Sequence, residues 1–224
     1  CREVCDVVVM NPPFGEPSAG SAAYLKKNYP RSKNDIYATF VENAYARCRE
    51  KGYVGAITAR TGFFLTSFTE WRRDLIIGST EFESMIDLGY NVLDGAVVET
   101  AAYVFRKRIP ERGKRSVFIR LIDEEAKRLF ENKGCSFWYE KDNVFLRSVP
   151  DFLSLPAAEF AYWVEQKVLD IFSKFHSIEP SHALVKQGIA TGDNERFLRL
   201  PTELVNNFNG EWKTYAKGGD FARF

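Results

Sequence analysis

Long apolar runs and histidines are scarce in this chain of 224 residues. No apolar run approaches the roughly 20 residues that span a bilayer, so a membrane-spanning helix is not predicted. Residues 1–3 do not form a secretion signal. The only histidines are His176 and His182, which disfavours general-base chemistry by imidazole.

Paired cysteines are missing too, and neither sign of charge is in excess. No Cys-x-x-Cys pair occurs, which argues against a zinc site and favours free thiols in the cytoplasm. We therefore predict no metal site and a cytoplasmic location. With 31 basic and 30 acidic side chains the net charge is +1, so the chain as a whole has no electrostatic attraction for nucleic acid. A DNA-binding surface would need local segregation of the basic side chains, or parts outside this sequence.

The length suits one domain and part of another. The sequence opens at Cys1 almost directly into an apolar strand, and it ends at Phe224 after a basic, glycine-containing segment. We expect it to be a fragment of a longer protein.

The most informative motif is Asn11-Pro12-Pro13-Phe14, which follows a short apolar run at 7–10. The run predicts a buried strand, and two successive prolines end it because they cannot donate to a sheet ladder. Their fixed φ angles stiffen the loop beyond the carboxyl end of the strand, where parallel sheets place ligands. The Asn11 side-chain oxygen and the Pro12 carbonyl can accept hydrogen bonds from a planar exocyclic amino group, while Phe14 stacks on its ring. A stiff strand exit without chemistry is the alternative.

The rest of the first half alternates between helix-like and strand-like segments. Residues 15–33 predict a loop, and Asn34 or Asp35 predicts the N-cap of a helix that ends at Lys51-Gly52. Further strands are predicted at 53–58, 82–88, 97–105 and 117–121. We expect the last two to pair as a hairpin, because a polar segment joins them. This alternation predicts an α/β fold.

A segment near the end of the chain combines glycines with basic and amide side chains. Gly192-Asp193-Asn194 is a turn tripeptide, and glycines let backbone amides approach phosphates. The candidates for contacts with DNA phosphates or base edges are Lys186, Gln187, Gly192, Asp193, Asn194 and Arg196. A tight turn with solvated charges is the alternative. Before this segment, apolar residues three and four apart predict a helix at 157–175.

Several of these segments together resemble one family. Asn11–Phe14 resembles the Asn-Pro-Pro-aromatic motif of amino-methylating enzymes that use S-adenosylmethionine, chiefly adenine-specific DNA methyltransferases. Segments 6–106, 161–164, 188–199 and 215–219 are similar to the methyltransferase family of BREX phage-defence systems (PglX), which is related to single-chain restriction-modification methylases. The similarity covers nearly the whole chain and is weakest between residues 111 and 152.

The resemblance implies a fold and a domain organisation. The expected fold is the C-terminal half of a Rossmann-like class I methyltransferase sheet, whose last strand is antiparallel, followed by the start of a target-recognition region. Residues 1–122 would belong to the catalytic domain, 123–155 to a linker or edge elaboration, and 156–224 to the target-recognition region. The family's glycine-rich cofactor motif would precede Cys1, so the fragment alone is expected to be inactive.

The resemblance also implies an activity. The expected reaction is site-specific transfer of a methyl group from S-adenosylmethionine to the exocyclic amino group of adenine in double-stranded DNA, in phage defence or restriction-modification. Asn11, Pro12, Pro13 and Phe14 would be catalytic, and Asn11 and Pro12 would also border the cofactor's methyl group. Other phage-defence proteins come into consideration as partners, and a membrane does not.

Some points stay open on the sequence alone. Related adenine methylases often carry a second aromatic residue beyond the strand at 82–88, and the comparable place here holds Leu93, with Tyr90 nearby. The group that stacks on the second face of the base is therefore undetermined. The same four motif residues would serve methyl transfer to a protein glutamine or to an RNA base. A non-catalytic DNA-binding component is a further alternative.

Overall fold

A computed structural model of the chain describes residues 4–90, 92–93, 98–111, 113–122, 128, 143–179, 182–184, 192–200, 203 and 212–213. The chain divides into two compact units, Cys1–His176 and Ser177–Phe224. The first unit contains the sheet, and the second contains a short helix. No helix within the described ranges combines the length and the apolar character that a bilayer crossing requires.

Six strands form one mixed sheet in the order β1-β2-β4-β3-β5-β6. Their bounds are β1 Cys5–Met10, β2 Cys48–Ala59, β3 Glu81–Gly89, β4 Thr100–Arg106, β5 Ser116–Arg120 and β6 Val144–Arg147. Strands β1, β2, β3 and β5 run in the same direction, whereas β4 is antiparallel to both of its neighbours. The carboxyl ends of the four parallel strands therefore meet at one edge, the carboxyl edge, and the opposite edge is the amino edge. This arrangement confirms the α/β prediction.

The predicted hairpin between the strands at 97–105 and 117–121 is wrong. Strand β4 lies between β2 and β3, and Tyr103 is opposite both Ala56 and Met85. Strand β5 pairs with β3 in parallel instead, with Phe118 opposite Met85. A central position lets β4 bond on both sides and bury Tyr103 and Phe105 almost fully, which a two-stranded hairpin does not.

Two predicted helix boundaries and one predicted loop also differ from the structure. The helices are α1 Ala19–Asn28, α2 Ile36–Arg47, α3 Gln166–Lys174 and α4 Asn194–Phe197, and Trp71–Ile77 forms a helical segment with wide π-type turns. Helix α1 lies inside the segment predicted as a loop, because alanine, leucine and lysine outweigh its single glycine. Helix α2 ends four residues earlier than predicted, since Cys48 already pairs with Cys5 in the sheet.

The predicted helix at 157–175 forms only over residues 166–174. The earlier residues are held in an irregular segment by Arg72, whose buried guanidinium donates to the carbonyls of Ala157, Gly62 and Leu65 at 2.6–3.1 Å. Burial lowers the pKa of Arg72 to about 10, and the carbonyl contacts compensate for the desolvated charge. Residues 157–162 are thus fastened next to the exit of β2.

An aromatic cluster fills the core beside this exit. The ring of Phe63 has its centroid 4.9–6.1 Å from those of four neighbours, which are Trp71, Phe82, Tyr103 and Phe160. All five rings are nearly inaccessible to solvent. The cluster fixes the backbone just beyond the carboxyl end of β2, so side chains of residues 60–64 have defined positions there.

Candidate active site at the carboxyl edge

The Asn-Pro-Pro-Phe motif leaves the carboxyl end of β1 as predicted. The predicted burial of that strand is wrong, because β1 lies at the edge of the described sheet and Val7 and Val9 are 58% and 81% exposed. Asn11 and Pro13 are exposed, Pro12 is buried and Phe14 is half-buried. Because β1 pairs with β2 up to Met10, the motif begins at the first residue beyond the ladder. The buried proline anchors the loop, and the asparagine side chain before it faces solvent.

The far end of this loop is held by the start of helix α2. The Asp35 carboxylate accepts hydrogen bonds from the backbone N–H groups of Gly15 (2.9 Å) and Tyr37 (3.2 Å), and the N–H of Ile36 donates to the Gly15 carbonyl (3.0 Å). Asp35 is therefore the N-cap of α2 and also a clamp on the motif. Burial raises the pKa of Asp35, against the effect of the backbone N–H donors. Gly15 has φ +120°, a region that side chains other than glycine rarely adopt.

The ring of Phe14 rests on a second aromatic ring. Its centroid lies 6.1 Å from that of Tyr37 in an edge-to-face arrangement, and Tyr37 stacks on Phe68 at 5.8 Å. The Tyr37 hydroxyl is 3.2 Å from the hydroxyl of Thr61, which lies just beyond β2. Burial raises the pKa of Tyr37, so the phenol stays protonated. This stack joins the motif to the exit of β2 and orients the half-exposed Phe14.

The Asn11 carboxamide forms no hydrogen bond with any residue that the structure describes, and neither does the Pro12 carbonyl. Had the carboxamide turned inward to cap its own strand, its oxygen would be occupied. Instead the side chain is exposed beside a fixed aromatic ring. The loop therefore offers two uncommitted acceptors beside a partly buried aromatic ring, a combination that suits a flat molecule with an amino group.

A buried polar cluster on the same edge was not predicted. The Asp87 carboxylate near the end of β3 accepts from Tyr162 (2.8 Å) and pairs with Arg60 (2.9 Å), and Arg60 also pairs with Glu99 (3.0 Å). Burial raises the pKa of Asp87, which Arg60 and Tyr162 offset only in part. The one available signal was a carboxylate within the otherwise strand-like run at 82–88.

The residues considered for the second face of the base lie just beyond β3. Tyr90 is about half exposed and Leu93 is partly buried. Gly89, which precedes them, has φ +66° and would place a Cβ 3.0 Å from the Cα of Ile122. The backbone therefore turns sharply here.

The predicted DNA-contacting residues lie in the second unit. Asp193 caps helix α4 by accepting from the Arg196 N–H at 3.0 Å, and the Arg196 guanidinium lies 5.1 Å from the Phe197 ring centre. Gly192 has φ +69°, and Asn194 of the predicted turn is instead the first residue of α4. Lys186 and Gln187 fall outside the described residues. Within the described ranges, no three His, Cys, Asp or Glu side chains are grouped as a metal ion would require.

Comparison with known proteins connects this geometry to a family. Residues 3–93 match the model of the Eco57I restriction-modification methylase family. The chain is 28% identical to the adenine-specific methyltransferase BrxX of Escherichia coli O9:H4 (strain HS), over 98% of this chain and 19% of that protein. It is 27% identical to the adenine-specific methyltransferase PglX of Lacticaseibacillus casei (strain Zhang), over 97% of this chain and 20% of that protein.

The chain is related to these methyltransferases. The resemblance predicted from the sequence is thereby confirmed, and the chain spans about a fifth of the length of these relatives. The match to the Eco57I methylase family contains the whole loop at Asn11–Phe14, the Asp35 clamp and the pair formed by Arg60 and Asp87. The segment at 192–196 lies outside that family match but inside the alignment with both relatives.

Solved structures support the fold alone. One neighbour is the modification subunit of a restriction enzyme assigned to type I, from Vibrio vulnificus YJ016, with a TM-score of 0.52 at 13% identity over 67% of this chain and 35% of that one. Another belongs to a type I restriction-modification system, with a TM-score of 0.52 at 17% identity over 76% of this chain and 42% of that one. The sheet whose first strand leads into Asn11 thus shares the fold of these two restriction-modification proteins.

Proposed function

We propose that this chain belongs to an adenine-specific DNA methyltransferase, of the phage-defence or restriction-modification type, and supplies the part of its active site that binds the target amino group. The observation that carries the proposal is the exposed, unbonded Asn11 carboxamide beside the half-exposed Phe14 ring, on a loop clamped by Asp35. The names of the two relatives support adenine as the target. The substrate is double-stranded DNA, from which the base must be extruded because a stacked amino group cannot be reached.

The residues of the loop have separate roles in this proposal. The Asn11 Oδ1 atom and the Pro12 carbonyl accept hydrogen bonds from the two amino N–H groups, which orients the nitrogen lone pair for attack. Phe14 stacks on the base, and such stacking contributes about 1–3 kcal/mol. Pro13 restricts the backbone between them. No side chain needs to remove a proton before the attack.

S-adenosylmethionine supplies the electrophilic methyl group in this reaction. The residues present fit this cofactor on the side where the methyl group is transferred, because Asn11 and Pro12 offer free acceptors at the end of β1. The glycine-rich motif that binds the remainder of the cofactor is expected before Cys1. We assign residues 1–122 to the catalytic domain, 123–155 to a linker and 156–224 to the beginning of the target-recognition region, with Lys186, Gln187, Gly192, Asp193, Asn194 and Arg196 as DNA contacts.

The test is substitution of Asn11 in the full-length enzyme. Asn11→Ala removes one acceptor of the amino group, and we expect methyl incorporation into DNA to fall by roughly 10²–10³-fold or more. DNA affinity should stay within about twofold, since phosphate contacts dominate it. Radiolabelled methyl transfer and a DNA-binding titration measure the two quantities separately.

Matched variants make this test specific. Asn11→Asp keeps an acceptor oxygen at the same place and should retain more activity than Asn11→Ala. Phe14→Tyr keeps the ring and should remain active, whereas Phe14→Ala should not. Unchanged methylation by Asn11→Ala would rule out the assigned role. Methyl incorporation into protein or RNA, and not into DNA, would show that the enzyme acts on one of the alternative substrates.

A further inference from the structure

Helix α1 follows the candidate active-site loop and has no buried residue. A helix of a globular protein normally buries one apolar stripe, and a helix that buries nothing commonly faces another molecule or solvent on all sides. Tyr24 of α1 is 61% exposed, and the neighbouring Lys26 and Lys27 are exposed as well. Tyr24 and Lys27 are three residues apart and so share one face of the helix.

The turn after α1 is nevertheless firmly attached to the protein. The Asn43 side chain of α2 donates to the Tyr29 hydroxyl at 2.8 Å. Glu42 accepts from Arg31 at 2.8 Å and from the fully buried Ser32 at 2.6 Å. These bonds hold the C-terminal end of α1 and the residues around Lys33 in a defined place. The surface is therefore presented by a fixed element, although the helix itself is not packed into the core.

The charge of this surface separates it from the rest of the chain. Between residues 15 and 33 there are four basic side chains and one acidic side chain, whereas the whole chain has 31 and 30. Arg31 is neutralised by Glu42, but no acidic side chain of the described residues forms an ion pair with Lys26, Lys27 or Lys33. Covering unpaired ammonium groups with apolar protein would cost their hydration, so an anion is the partner that fits them.

The position of the surface indicates which anion. Lys33 is two residues before Asp35, whose carboxylate bonds the Gly15 backbone directly after Phe14. The backbone of Lys33 is therefore close to the loop that holds the base in the proposed function. A nucleotide bound at Phe14 brings the phosphates of its own strand to this side of the protein. An exposed tyrosine among lysines is also typical of surfaces that follow a nucleic-acid backbone.

We propose that helix α1 and the turn after it bind the DNA phosphate backbone beside the target base, through Lys26, Lys27 and Lys33. This inference rests on the proposed function, because it takes DNA as the substrate. The segment between the catalytic loop and α2 would thus hold the DNA strand in the same way whatever its base sequence.

The test replaces Lys26, Lys27 and Lys33 by glutamine in the full-length enzyme and measures DNA affinity at several salt concentrations. The slope of log K against log salt is negative, and each lost phosphate contact reduces its magnitude by about 0.9. The magnitude should therefore fall by about 2.7 in the triple glutamine variant. Affinity should fall at least about tenfold and equally for duplexes with and without the recognition site. The Lys→Arg triple variant should keep the wild-type slope.

Lys51→Gln is the matched control, because Lys51 is exposed at the amino edge, away from the loop. The salt dependence of DNA binding by this variant should equal that of the wild type. A wild-type slope in the triple glutamine variant overturns the inference, as does a loss confined to the duplex that carries the recognition site. If circular dichroism shows that the triple variant folds poorly, the single variant Lys27→Gln tests the inference instead. Its slope of log K against log salt should be smaller in magnitude by about 0.9. DNA binding without any methyl transfer by the wild type would contradict the proposed function, while the salt slope still tests this surface.

Discussion

Strand β3 carries a buried carboxylate at each end, and the two are stabilised differently. Glu81 at the amino edge would have a raised pKa from burial, but hydrogen bonds from Arg108 (2.9 Å) and the Glu111 N–H lower it overall. Asp87 at the carboxyl edge keeps a raised pKa, although Arg60 and Tyr162 contact it. The Asp87 Oδ1 atom is buried without a partner among the described residues.

The two ends differ in how completely their carboxylates are satisfied, although the Nε atom of Arg108 at the amino edge is also buried without a partner among the described residues. Asp87 and its partners lie on the same edge of the sheet as the exposed Asn11, with β2 and β4 between β3 and β1. Ionisable groups with perturbed pKa values are enriched at functional sites. At the amino edge, by contrast, the charged side chains pair with one another, as Lys114 does with Glu83 and Lys107 with Glu50. The same strand therefore ends in a structural ion pair on one side and in a polar cluster on the edge of the candidate site on the other.

The largest expected effect separates these two carboxylates. Asp87→Ala leaves the buried Tyr162 hydroxyl without its partner and Arg60 with only the partly exposed Glu99, and we expect a loss of about 3–5 kcal/mol in the free energy of unfolding. Glu81→Ala should cost less, since Arg108 is a quarter exposed and keeps Glu111 as a partner. Urea unfolding of the two variants measures both losses. If Glu81→Ala lost as much unfolding free energy as Asp87→Ala, or more, the two carboxylates of β3 would not differ in the way described.

The next effect concerns two glycines at opposite edges. A Cβ at Gly52 would lie 2.6 Å from the Asp6 carbonyl oxygen and from the Cys48 sulfur, and a Cβ at Gly62 would lie 2.7 Å from the Tyr37 hydroxyl. Alanine at either place should cost about 1–3 kcal/mol, with the larger cost at Gly52, where backbone must move.

Activity should rank these two variants in the opposite order. Gly62→Ala displaces the ring that supports Phe14, so methyl transfer by the full-length enzyme should fall, whereas Gly52→Ala should spare the rate of the folded fraction. Rates normalised to folded protein test this ranking. Equal rates for both variants would mean that Tyr37 does not position Phe14.

Local features of the site could be read from the sequence, whereas the sheet order could not. The Asn11–Phe14 loop and the Asp35 cap follow from residues within a few positions of one another, because prolines and N-caps act locally. The place of β4 between β2 and β3 depends on burial across the sheet, and sequence adjacency favoured the wrong pairing. Helix α1 was missed because it has no apolar stripe, although its alanine, leucine and lysine residues favour a helix.

The cluster at Asp87 shows the same limit at a single site. Its members, Arg60, Asp87, Glu99 and Tyr162, are 12–102 residues apart along the chain and meet only through the fold. A lone aspartate in a strand pattern indicates that a partner exists, but it does not identify Tyr162 as that partner.

The smallest effect is a pH dependence of opposite sign at the two ends of β3. A carboxyl with a raised folded-state pKa destabilises the fold when it ionises, so acidification from about pH 7 to about pH 4 recovers stability through Asp87. A lowered pKa has the reverse effect, and the stability that Glu81 contributes above its unfolded pKa is lost as the pH falls through the folded one. Relative to the wild type, Asp87→Asn should therefore lose more stability on acidification, and Glu81→Gln less. Urea midpoints at the two pH values give both differences, and shifts of the same sign in both variants would refute the assigned pKa directions.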